Sequence, residues 1–135
     1  MSVSHQDKIE IQELSARYAN ALDSGNIGEW LDTWTDEGVW EGGLGKYEGK
    51  SSLAKLIKDL GARIQGKRHV MCNFVIDGNG DEARQQSYLL VFERETSPAL
   101  IATGVYHDIV KRVNGNWKFA SRLVKLDSSF APKST

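Results

Sequence analysis

Cysteine is almost absent from this chain, since Cys72 is the only one in 135 residues. One thiol can neither close an intramolecular disulfide nor build a Cys-based zinc cluster, so stability must come from an apolar core, and a reducing cytoplasm is the expected setting. An excess of either charge is also missing. There are 17 Lys and Arg against 18 Asp and Glu, and no like-charged run exceeds a pair such as Lys67-Arg68. This excludes the basic stripe that grips a nucleic-acid backbone. No stretch approaches the ~20 apolar residues of a membrane span, and the opening MSVSHQDKIE lacks the basic-then-apolar layout of a signal peptide. Neither nucleic acid nor membrane is therefore an expected partner.

Several chemical motifs are missing as well. The glycine-rich GGLGKYEGKS has neither Walker nor Rossmann spacing and does not follow a buried strand. His5, His69 and His107 are scattered, with no His-x-x-x-His pair, so no metal site is expected. There is no Gly-x-Ser-x-Gly elbow, and Cys72 sits in an apolar run where inert burial is the simpler role. What remains is cofactor-free acid and base chemistry.

Apolar residues make up 40% of the chain, enough for one domain over residues 1–135, with a core at about 8–127 and mobile termini. Ile11, Leu14, Tyr18 and Leu22 recur at helical spacing between Lys8 and Ser24. Gly25 is placed to cap that helix, and Asn26 to open a second over Ile27 to Thr35. Aromatics separated by glycines from Asp36 to Tyr47 suit two short strands and a turn. Ser51 or Ser52 would then cap a third helix carrying Leu53, Leu56, Ile57, Leu60 and Ile64, closing near Gly66. After that the period changes to two. Arg68 to Asp77, Glu82 to Glu95, Ala99 to Val113 and Asn116 to Asp127 read as four strands joined by hairpin turns, with a mobile tail from Ser128 to Thr135. The expected fold is α+β: a curved, mainly antiparallel sheet wrapped around three N-terminal helices, a cone with an internal pocket.

In the first long strand Val70, Cys72, Phe74 and Ile76 alternate with His69, Met71, Asn73 and Val75. If the first set faces outward, with Phe119 and Leu123 beside it, a second copy of the chain should cover it as a homodimer or homotrimer. If instead it faces the core, His69 lies in solvent.

Four residues stand out chemically. Asp23 is in the last turn of the first helix, where the helix macrodipole disfavours a negative charge. His69 opens the strand that lies against the helices. An Asp accepting from one imidazole nitrogen leaves the other free as a general base near neutral pH. Tyr18 places a phenol on the buried face of the helix that carries Asp23, and Arg122 interrupts an otherwise apolar strand with an inward parity. A buried guanidinium requires an anion or carbonyl partner. Each residue taken alone also fits a purely structural role.

The runs IQELSARYANALDSGNIGEWLDTWTDEGVW, KRHVMCN, IDGNGDEA and GVYHDIVKRVNGNWKFASRLVKLD resemble the SnoaL-like branch of the nuclear-transport-factor-2-like superfamily over nearly the whole chain. That branch includes scytalone dehydratase, bile acid 7α-dehydratase and hexachlorocyclohexane dehydrochlorinase. The resemblance implies the helix-filled cone. It places the family's helix-end aspartate on Asp23, its strand histidine on His69, the dehydratase tyrosine on Tyr18 and the last-strand arginine on Arg122. The dehydrochlorinase carries lysine where this chain has Tyr18, which favours an oxygen leaving group here. Relatives on the same fold are also isomerases, cyclases, epoxide hydrolases and silent small subunits of ring-hydroxylating dioxygenases.

The expectation is a lyase, a dehydratase by preference, without metal or organic cofactor. In it His69, Asp23, Tyr18 and Arg122 are catalytic, with Arg122 holding a substrate carbonyl or carboxylate or anchoring Asp23. Trp40, Leu60, Met71, Asn73 and Tyr106 would contact a hydrophobic cyclic substrate such as a steroid, terpenoid or polyketide. The alternatives are a non-catalytic binding module or dioxygenase small subunit, and an isomerase or cyclase.

Overall fold

The computed structural model describes residues 2–128, so of the expected mobile tail all but Ser128 lies outside the described residues. Helix α1 spans His5–Ser24. It begins three residues before the hydrophobic periodicity because Ser4 and Asp7 form a reciprocal cap: Asp7 N donates to Ser4 Oγ at 3.0 Å and Ser4 N to Asp7 Oδ2 at 3.1 Å. Its buried stripe holds Ile11, Leu14, Tyr18, Ala21 and Leu22, and Gly25 ends it at φ 74°. Asn26 Oδ1 accepts from Glu29 N at 3.1 Å and opens α2, Ile27–Asp32.

Helix α2 stops before the expected Thr35. Thr33 Oγ1 donates back to Trp30 O at 2.6 Å, and Thr33 O accepts from Phe119 N at 2.8 Å. Pairing with the last strand therefore turns Trp34 into the start of β1, Trp34–Gly42, which hairpins into β2, Gly45–Glu48. Helix α3, Lys50–Leu60, is entered through Gly49 at φ 87° rather than through a serine cap. It ends at Gly61, φ 48°, so a single turn of 3-10 helix, Gly61–Arg63, covers ground expected to be α-helix.

Four long strands follow: β3 Lys67–Asn79, β4 Glu82–Glu93, β5 Ala99–Val113 and β6 Asn116–Leu126. The sheet order is β2-β1-β6-β5-β4-β3, every pairing antiparallel except β1 with β6. This is the expected α+β cone, open rather than closed. Apolar residues of the three helices meet the inner face of the sheet in a core that includes Leu14, Trp30, Trp34, Leu53, Leu56, Val110 and Phe119.

Two bulges correct the facing read from the sequence. In β3, Cys72 pairs with Tyr88 but Val75 pairs with Gln86, so Asn73 and Phe74 together oppose Ser87. Asn73 takes φ 56° to make this possible. Inward positions therefore run His69, Met71, then Phe74 and Ile76, while Val70 and Val75 lie outside. The continuous outer stripe of Val70, Cys72, Phe74 and Ile76 does not exist. In β6, Phe119 pairs with Val110 and Ser121 with Ile109, leaving Ala120 as the extra residue. Phe119 is thus fully buried and needs no cover, and Arg122 is still inward. Alternation alone cannot report such a shift, because one added residue swaps every side chain beyond it.

Because Phe74 packs on the core and Val75 is 66% exposed, Phe74→Ala should cost about 2–4 kcal/mol. Val75→Ala should cost less than about 0.5 kcal/mol. Urea denaturation of the two variants measures the difference, and equal losses would contradict the bulge.

Candidate active site

Asp23 and His69, 46 positions apart, meet where the end of α1 crosses the start of β3. Asp23 Oδ1 lies 2.6 Å from His69 Nδ1, and Oδ2 accepts from the backbone N–H of His69 at 2.9 Å. Both side chains are more than nine-tenths buried. Two donors from one residue thus compensate a carboxylate at the unfavourable end of a helix. With Nδ1–H donating to Asp23, Nε2 is the ring nitrogen left free, and His69 is among the residues lining a cavity that is partly open to solvent.

A clasp fixes the backbone around this pair. Arg94 donates through Nε to Lys67 O at 3.1 Å and through Nη2 to Asp23 O at 3.3 Å. Beside it Lys67 Nζ lies 2.9 Å from Glu93 Oε1. That ion pair and the backbone N–H groups of Glu95 and Thr96 hold the Glu93 carboxyl down at about 2. Nothing in the sequence hinted at Arg94 or Glu93, whose partners come from α1, β3 and the turn after β4.

The cavity measures about 430 Å³, and its wall includes Tyr18, Trp40, Leu60, His69, Leu89 and Tyr106. Four of the expected substrate contacts and catalytic groups, Tyr18, Trp40, Leu60 and Tyr106, therefore share it with the His69 ring. Met71 lies between the two parts of the hydrophobic core and is not in the cavity wall. Asn73 is exposed on the bulge, which removes it from the expected contacts. Asp23 borders a neighbouring cleft of about 510 Å³ that also holds Lys58 and Gln65; the two spaces share Leu22 and Ile64 in their walls.

Arg122 is not where the sequence suggested. Its side chain has no exposure, and it neither lines the cavity nor reaches Asp23. Instead Nε and Nη2 lie 2.8 and 2.9 Å from the two oxygens of Asp108. The guanidinium carbon sits 3.7 Å from the Tyr106 ring centre, 4.3 Å from that of Phe119 and 4.5 Å from that of Tyr18. Asp108 also accepts from Gln85 Nε2 at 3.0 Å, and the same amide donates to Ser15 Oγ at 2.9 Å. Gln85, Asp108 and Arg122 are direct cross-strand neighbours on β4, β5 and β6. Their parities were legible, but the register that makes them adjacent was not.

Burial opposes the charge on Arg122, yet Asp108 outweighs it and the guanidinium is held above its ordinary pKa. Burial raises the phenols of Tyr18 and Tyr106, partly offset by the positive charge of Arg122 behind both rings. Both phenols are therefore protonated donors at neutral pH. Among the described residues no group of three His, Cys, Asp or Glu side chains converges as a metal site would require. No helix among them is long and apolar enough to cross a membrane.

The family model for the SnoaL-like domain matches residues 4–123. A protein of unknown function with a cystatin-like fold from Nostoc punctiforme is 34% identical, with a TM-score of 0.92 over 96% of this chain and 98% of that one. LinA is 21% identical, with a TM-score of 0.80 over 96% of this chain and 90% of its own. A proposed scytalone dehydratase from Novosphingobium aromaticivorans is 23% identical, with a TM-score of 0.78 over 90% and 84%. The last two likenesses are likenesses of fold. Among curated protein sequences none matches significantly.

The low pKa of Glu93 carries a pH signature. Its folded value lies below the ordinary 4.5, so its stabilisation is complete above pH 4.5 and is lost as pH falls through about 2. Glu93→Gln should therefore lower stability at neutral pH and flatten the acid limb between those values. Thermal melts against pH measure this, and an unchanged acid limb would show that the Lys67 contact does not persist in solution.

Proposed function

The chain belongs to the SnoaL-like domain family, and on that premise we propose that it is a cofactor-independent lyase acting by general-base elimination on an apolar cyclic substrate. The observation that carries this reading is the 2.6 Å contact between Asp23 and His69 Nδ1, with the ring presented to a largely apolar cavity. His69 Nε2 takes a proton from a carbon next to a carbonyl, and Asp23 stabilises the imidazolium that forms. As the C–H bond breaks a C=C bond forms, the C–O bond at the neighbouring carbon breaks, and Tyr18 gives its proton to the departing hydroxide, which leaves as water. The imidazolium then returns a proton to the Tyr18 phenolate. Arg122 acts from behind: its charge stabilises negative charge on either phenol without touching the substrate. A dehydratase follows from Tyr18 as donor, and reduced cytoplasm remains the proposed setting for Cys72.

Proton abstraction can be tested before the substrate is known. In deuterated buffer the wild type should exchange the α-protons of 2-tetralone, followed by NMR, about a hundredfold faster than His69→Ala or Asp23→Asn. Tyr18→Phe should keep most of the exchange, because the phenol acts on the leaving group. Exchange equal in wild type and His69→Ala, with 2-tetralone bound by both, would overturn the base.

We also propose that the chain assembles with copies of itself through the outer face of the sheet, as a dimer or trimer. Val70, Val75 and Tyr88 are exposed there, 38%, 66% and 46% respectively, and such apolar patches on soluble proteins mark contact surfaces. Tyr88→Glu should lower the mass measured by sedimentation at micromolar concentration. A wild-type monomer at that concentration would overturn the assembly.

A further inference from the structure

Starting from the cavity as a substrate site, we propose that the substrate is an amphipathic anion, an apolar cyclic body carrying a carboxylate that stays at the rim on Arg63. The cavity wall contains no carboxylate, and its only groups able to carry charge at neutral pH are His69 and Arg63. His69 is buried and committed through Nδ1 to Asp23. Arg63 is exposed, and among the described residues it has no ion pair and no hydrogen bond. Arg94, Arg112 and Arg122 are each held by named partners, and of the arginines without one, Arg63, Arg68 and Arg84, Arg63 alone lines the cavity among the described residues.

The chain places this guanidinium by construction. Helix α3 ends at Leu60, Gly61 breaks the helix at φ 48°, and the 3-10 turn delivers Arg63 and then Ile64 to the cavity. Gly66, at φ 67°, redirects the backbone into β3, which brings His69 to the same cavity. One connecting segment of the chain thus sets a cation at the opening and a base inside. Arginine can keep its aliphatic stem against the apolar wall while its planar fork stays in water. A neutral carbonyl would gain a hydrogen bond from that fork but no pairing of charge. A carboxylate would meet two parallel donors beside a surface that thins the water around the pair, which strengthens it. Because the charged end cannot follow the ring system into the apolar interior without losing its hydration, the same contact fixes which end of the substrate reaches His69.

The probes are 2-naphthaleneacetate and its amide, close in shape and different in charge, titrated calorimetrically at neutral pH and low salt. The wild type should bind the acid about fivefold tighter than the amide, the size of a partly exposed ion pair. Arg63→Gln should weaken the acid alone and erase that preference, Arg63→Glu should reverse it, and Lys58→Gln in the neighbouring cleft should change neither. High salt should erase the preference in the wild type. Equal binding of acid and amide by the wild type, or a preference that persists in Arg63→Gln, would overturn the proposal. Binding of neither probe would overturn it together with the cavity as a ligand site. The lyase reading fails separately: α-proton exchange that is indifferent to His69 overturns the base and leaves the anion contact standing, while a lost acid preference with exchange intact does the reverse.

Discussion

One carboxylate carries the geometry of the site. Asp23 accepts from both the backbone N–H and the ring N–H of His69, so it fixes where β3 starts and how the imidazole is turned. A hydrogen bond to the ring alone would leave the strand free to slide, and one to the backbone alone would leave the ring free to rotate. Held at both points, the histidine has one tautomer and one orientation, the conditions general-base chemistry needs. Arg94 adds a third restraint by holding the Asp23 carbonyl and the Lys67 carbonyl with one guanidinium. The crossing of α1 over β3 is thereby pinned by polar contacts rather than by apolar packing alone.

Beneath the cavity lies a different kind of polar structure. Gln85, Asp108 and Arg122 form a ladder across three strands, closed by Ser15 from α1. Two full charges without exposure are costly to bury, and their attraction compensates only because both forks of the contact are made. Removing either partner would strand the other at a cost of about 3–5 kcal/mol. The three aromatic rings around the guanidinium supply further compensation through their π faces, and they exclude water that would weaken it. This ladder backs the Tyr18 and Tyr106 rings of the cavity wall without presenting a cation to the ligand.

What could be read from the sequence was what depends on short-range pattern. Helix α1, its Gly25 cap and the Asn26 opening of α2 all follow from local residue chemistry, and the strand boundaries fall within a few residues of their turns. Asp23 and His69 were legible because each occupies an unusual place in its element, a carboxylate at a helix C-terminus and an imidazole at a strand start. The errors of strand facing and partner have a common physical origin in strand register. Phe74 and Phe119 were turned outward because nothing in the sequence marks Asn73 or Ala120 as bulged, and both bulges arise from pairing with distant strands. The same gap hid the partner of Arg122, since Asp108 becomes its neighbour only once β5 and β6 are aligned. Trp34 likewise left its helix for a strand because the amide of Phe119 captured the carbonyl of Thr33.

The bulge at Asn73 also bears on solubility. Strand β3 is thirteen residues long and forms one edge of the sheet, and a straight edge of that length invites a foreign strand to add to it, the first step towards fibrils. This edge is interrupted along its length. The amide of His69 is spent on Asp23, the ladder is broken and twisted at Asn73, and the carbonyl of Gly78 is taken by Val3 N. An incoming strand would meet the row of edge donors and acceptors interrupted at these three points. The residues that orient the imidazole and kink the strand therefore also guard the chain against templated aggregation.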